Sequence, residues 1–161
     1  MALYGVEGPV MKNGLIGALV GAFFIATKKL TNLSLALPTI PMAGALATTA
    51  GQWIVIVGLA PVAEELFFRC LLLSLLVTFV GWKFWQANLV QATAFSFYHV
   101  IAYAGEIAAS AIMNTATAFI AAFVFGLVAG WLVKKFGLTT PIVAHALLNA
   151  ALLSTGFILI A

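Results

Sequence analysis

Two glutamates, Glu64 and Glu65, stand side by side in an otherwise apolar run, and the only arginine of the chain, Arg69, follows one helical turn later. The run reads Pro61-Val62-Ala63-Glu64-Glu65-Leu66-Phe67-Phe68-Arg69, then Cys70-Leu71-Leu72-Leu73. A carboxylate in hydrocarbon is costly unless paired or neutralised, so an ionisable group at that depth marks a functional site by default. Glu65 and Arg69 are four apart, acid before base, which is the favourable order on one helix face. Glu64 is turned about 100° away and has no local partner. Two carboxylates this close in a low dielectric do not both ionise freely. Glu64 is therefore the candidate general base or acid.

Two more polar sets lie in apolar surroundings. Asn88, Gln91, Phe95 and His99 recur at helical spacing and form one stripe, which suits a protein interior rather than lipid. His145 and Asn149 share a face of a later segment, and the chain has no other histidines. Taken singly, each histidine reads as a hydrogen-bonded core residue. Glu65 with Arg69 serves equally well as a structural ion pair that fixes helix register. Taken together with Glu64, in a chain whose only other acids are Glu7 and Glu106, they read as a site. Asn88 and Gln91 read as interhelical glue, and Glu7, Glu106 and the lysines as solvated ends.

These groups need an apolar scaffold, and the composition supplies one. Hydrophobic residues make up 65% of the chain, charged residues 7%, and mean hydropathy is +1.20, against roughly half apolar and a quarter charged in soluble domains. The expected fold is all-α, a polytopic transmembrane helical bundle in the lipid bilayer. Long unbroken runs such as Phe119 to Val133 exclude a barrel, which needs alternation. The net charge of +3 comes from lysines at the ends of apolar runs, a headgroup pattern and not a nucleic-acid one. One cysteine, Cys70, permits no intrachain disulfide, and the first dozen residues lack the basic start of a removable signal peptide.

Six apolar stretches are expected: Gly14 to Thr27, Ala43 to Leu59, Pro61 to Val80, Phe84 to Tyr103, Ala118 to Val133, and Pro141 to the C-terminus. Pro61 suits the first turn of the third helix, or it kinks one long helix made of the second and third. With six spans, Lys28-Lys29, Lys83 and Lys134-Lys135 share one side, cytoplasmic by the positive-inside rule, with Lys12 the exception. With a single kinked helix the Lys28-Lys29 pair crosses over. Gly17/Gly21 and Gly126/Gly130 are GxxxG pairs that permit close helix contact. At 1.5 Å per residue, Glu64 and His99 lie about 25 Å and 24 Å from the lysine-rich side and His145 about 15 Å, depths that tilt can bring together.

Three motifs then line up in order: Glu64-Glu65-x-x-x-Arg69, Phe95-x-x-x-His99 and His145-x-x-x-Asn149. They resemble the CPBP family, the CAAX proteases and bacteriocin-processing enzymes also called Abi, which includes the Rce1-like prenyl-protein endopeptidases. The resemblance covers Ala43 to the C-terminus, which makes residues 1–42 an N-terminal helix and connector and 43–161 the protease core. Cys70 stands where the family usually has glycine. The resemblance implies hydrolysis of a peptide bond within the membrane. Glu64 and His99 would activate the attacking water, His145 and Asn149 would stabilise the oxyanion, and Glu65 with Arg69 would hold the first carboxylate in place. The expected partner is a peptide or membrane-associated protein, with a prenylated one among the candidates, and the expected location is a multi-pass integral one, in the cell membrane if the chain is prokaryotic. No cofactor is required by this reading; zinc, if it takes part, would use Glu64, His99 and His145. The competing functions are a proton or ion translocator, since Glu/His chains also relay protons, and a non-catalytic immunity or scaffolding protein.

Overall fold

The computed structural model describes residues 10–35, 50–102 and 112–154, and these are helical throughout apart from short turns. Helix α1 is Val10–Leu35. Helix α2 is one continuous run from Ala50 to Thr78. Helices α3, α4 and α5 are Phe84–Ala102, Ile112–Phe136 and Thr139–Ser154. The connectors containing Pro38, Pro41 and Glu106, and the C-terminal end, lie outside the described residues.

The second and third expected stretches are thus not separate helices. Pro61 lies inside α2, and the chain keeps right-handed helical dihedrals on both sides of it, at Ala60 (φ −61°, ψ −50°) before it and at Glu65 (φ −66°, ψ −37°) after it. A proline inside an α-helix loses one hydrogen bond and clashes with the carbonyl four residues back. Here the backbone widens instead: Ile54–Leu59 is π-helical, and the Ala60 N–H reaches back five residues to the Val55 carbonyl. A second π-helical stretch, Leu66–Leu72, follows the glutamates. Among the described residues, two helices are long and apolar enough to cross a membrane, through Val10–Thr27 and Thr115–Phe136, with mean hydropathies of 1.6 and 2.2.

The ends of the helices follow local chemistry. Gly81 and Gly137 take positive φ, 76° and 85°, and turn the chain after α2 and α4. The Gln86 side chain reaches back to accept the Lys83 N–H at 3.1 Å, half of a capping box at the start of α3. Lys134 places its ammonium 4.3 Å from the centre of the Phe84 ring, which ties the end of α4 to that start.

Small residues set the helix contacts, as packing in lipid demands. A Cβ on Gly130 would run into the Asn88 amide, and one on Gly126 would meet Ala92 at 3.0 Å. Asn88 donates to the Leu127 carbonyl at 3.1 Å and Gln91 to the Gly126 carbonyl at 2.9 Å, so this pair does join α3 to α4. On α1, Gly17 faces Thr140 and Ala144, and Gly21 faces Ala144 and Leu147. The residue numbers rise together, so α1 runs parallel to α5. Lys12 therefore belongs to the end that holds Lys83 and Lys134-Lys135, and the chain carries the Lys28-Lys29 positions away from it. This reverses the expected grouping, because α2 is one helix where two were expected. The side chains of Lys28 and Lys29 lie outside the described residues.

Candidate active site

Helices α2, α3, α4 and α5 meet around a core of Phe68, Phe95, Phe125, Ala144 and Leu148. The polar residues sit against that core. Glu64 and Glu65 occupy the α-helical window Ala60–Glu65 between the two π-helical stretches of α2. Glu65 and Arg69 are fully buried, and His99 and His145 nearly so, while Glu64 keeps 17% of its side chain exposed.

The expected Glu65–Arg69 pair forms, with Nε 3.1 Å from Oε2. The guanidinium lies over the Phe95 ring at 4.2 Å, with the Phe125 and Phe68 rings at 5.8 and 5.9 Å. A planar, weakly hydrated cation suits such an aromatic box better than an ammonium does. The other carboxylate oxygen of Glu65 accepts the Nδ1–H of His145 at 3.0 Å. Glu65 therefore orients a histidine 80 positions away, where the resemblance had implied that it steadies Glu64. No spacing rule in the sequence could have shown that link.

His99 is fixed in the same manner. Its Nδ1 lies 2.9 Å from the Phe95 carbonyl oxygen, which can only accept, so Nδ1 carries the hydrogen. Both rings consequently turn Nε2 toward Glu64. His99 Nε2 is 3.5 Å and His145 Nε2 is 3.7 Å from the same oxygen, Oε2. That oxygen is buried and accepts no protein hydrogen bond. With each Nδ1 turned to its own acceptor, the two Nε2 atoms and Glu64 Oε2 face one another. A water or a cation between them would bond to this set.

Glu64, His99 and His145 can each offer one ligand atom, all within 4.8 Å of one another. A tetrahedral zinc with ligands at 2.0–2.1 Å spaces its ligand atoms about 3.3–3.5 Å apart. The two separations from Glu64 Oε2, 3.5 and 3.7 Å, are close to that spacing, and the two histidine nitrogens lie within 4.8 Å of each other. Each histidine also has the backing acceptor usual for a metal ligand. These three residues could hold a metal.

Asn149, the remaining expected site residue, lies one turn beyond His145 on α5. Its Nδ2 donates to the Ile56 carbonyl on α2 at 2.9 Å.

The Rce1-like family profile, type II CAAX prenyl endopeptidase Rce1-like, matches residues 45–151. No curated protein and no solved structure matches the chain. All three motif segments and the Glu64–His99–His145 cluster fall inside the matched region, and the chain belongs to the Rce1-like family of membrane proteases.

Proposed function

We propose that this chain is a multi-pass intramembrane endopeptidase that cleaves a peptide bond with a water activated by Glu64. The observation that carries the reading is the convergence of Glu64 Oε2 with the two Nε2 atoms, each ring held by its own acceptor behind it. A water between these groups can donate one hydrogen to Glu64 and the other to His99. As its oxygen attacks the scissile carbonyl, Glu64 takes the first proton and can later deliver it to the leaving amine. A ring that donates Nδ1–H to Glu65 can also take up a proton from bulk water at Nε2 before the attack. In that form His145 offers an N–H to the developing oxyanion, a contribution worth a few kcal/mol at about 10²–10³ in rate. One of the two amide hydrogens of Asn149 is already given to Ile56, so any oxyanion contact would use the other.

The reading needs no resident metal. If zinc bound Glu64, His99 and His145, it would polarise the carbonyl and acidify water. The substrate is a peptide segment of a membrane-associated protein, and a prenylated CAAX protein is the candidate that the family description suggests. The six-span topology is replaced in this proposal by five segments, with α2 as a single long crossing.

The test is cleavage of a membrane peptide by the protein in liposomes. Glu64→Ala and His99→Ala are each expected to abolish cleavage while helicity and elution from a sizing column stay as in the parent. Chelation is expected to leave the rate unchanged. Loss of activity with chelator and its return with zinc would move the chemistry onto the metal. Full activity in either variant would sink the assignment of roles.

A further inference from the structure

The π-helical turn before Pro61 leaves one backbone carbonyl without its normal donor. In that register each N–H reaches back five residues, as Ala60 does to Val55. The next bond would run from residue 61 to Ile56, and residue 61 is a proline with no N–H. The Ala60 N–H is already committed to Val55. Nδ2 of Asn149, on α5, makes the missing bond to the Ile56 oxygen at 2.9 Å.

We infer that Asn149 is a positioning residue: its amide replaces the N–H that Pro61 lacks, and so fixes the place where α2 returns from π to α geometry just before Glu64. The consequence lies in rotation. A slip of one residue in that transition turns the following side chains by about 100° around the helix. Glu64, three residues beyond the proline, would then leave His99 and His145. After the transition the backbone is α-helical only through Ala60–Glu65, since the second widening begins at Leu66. Glu64 and Glu65 thus face their partners from a short window whose beginning is pinned by Asn149. The same helix, α5, holds Glu65 through His145 one turn earlier. Asn149 and His145 together clamp α2 at both ends of that window.

A double-mutant cycle tests the inference, because Pro61→Ala restores an N–H to position 61 and makes the Asn149 bond redundant. Asn149→Leu keeps the branching at Cγ and removes the donor. In the parent it should lower the thermal midpoint in detergent by about 2–4 °C. In the Pro61→Ala background the same substitution should change the midpoint by under about 1 °C. The kinetic arm rests on the peptidase reading above: Asn149→Leu should lower kcat with KM little changed in both backgrounds, and the loss should be at least about fivefold greater in the parent than beside Pro61→Ala. An equal loss of midpoint or of kcat in both backgrounds overturns the inference. An equal kcat loss of about 10²–10³ would assign Asn149 to the oxyanion instead. If no form of the protein cleaves peptide, the peptidase reading has failed, and the midpoint cycle decides this inference by itself. Should Pro61→Ala not fold, Pro61→Leu supplies the same N–H.

Discussion

Glu64 and Glu65 are neighbours with different surroundings. Glu65 has no exposed surface and satisfies two partners, the Arg69 guanidinium and the His145 ring. Glu64 keeps some exposure and presents an oxygen that no protein donor reaches. One carboxylate is therefore part of the framework and the other is available for chemistry. Arg69 extends the framework, since three phenylalanine rings line its charge. Removing one partner of such a buried pair leaves the other uncompensated. Arg69→Ala should cost about 3–5 kcal/mol of stability, read as a lower thermal midpoint, and should misplace His145 through Glu65. A midpoint unchanged from the parent would show that the buried pair is not holding the helices together. The division between the two glutamates was legible in the sequence from the four-residue spacing of Glu65 and Arg69. The destination of the second Glu65 oxygen was not, because nothing in a linear chain links positions 65 and 145.

The helices obey rules that the sequence partly displays. Lysines and glycines near positions 81–83 and 134–137 mark where α2 and α4 stop, and the structure turns there. The stripe of Asn88, Gln91, Phe95 and His99 is the inner face of α3, with its first two residues bonded to α4 and its last beside Glu64. Of the two readings of Pro61, a helix start or a kink within one long helix, the structure joins both: the proline stands in the first turn of the α-helical stretch Ala60–Glu65, inside a continuous α2. A π-helical turn absorbs the ring, and Asn149 makes good the carbonyl, so a proline that usually ends a helix is carried within one. Hydrophobic pattern alone does not reveal such a compensation. The glycines give a sharper contrast. Gly130→Ala, whose Cβ would fall on Asn88, should destabilise by about 1–3 kcal/mol. Gly14→Ala, with open space around it, should be neutral or stabilising by up to about 1 kcal/mol. Thermal unfolding of the two variants side by side checks both, and equal effects would refute the packing argument.

Across the molecule, one long α2 changes the parity of the chain. The parallel run of α1 and α5 brings Lys12 to the end that carries Lys83, Lys134 and Lys135. That arrangement moves the exception to the positive-inside tendency from Lys12 to the Lys28-Lys29 positions, leaving four of the six lysines at one end where six crossings would place five. In a Cys70→Ser background, single cysteines at positions 12 and 135 should react with an impermeant thiol reagent from the same side of sealed vesicles. Labelling from opposite sides would contradict the topology. The order of the three motifs and the apolar composition made the family and the helical class legible from the sequence. The meeting of three helices at one oxygen of Glu64 depended on tilt and on the long α2, which depth counting along separate helices could only permit.

The most direct measurement is cleavage of a membrane peptide in liposomes made up in H₂¹⁸O, followed by mass spectrometry of the products, for the parent and for Glu64→Gln. The expected result is a single ¹⁸O in the new carboxylate from the parent, and no product from Glu64→Gln at an unchanged thermal midpoint. Wild-type cleavage by Glu64→Gln, or a Glu64-dependent proton flux with no peptide cut by the parent, would contradict the assignment of Glu64 as the group that activates water.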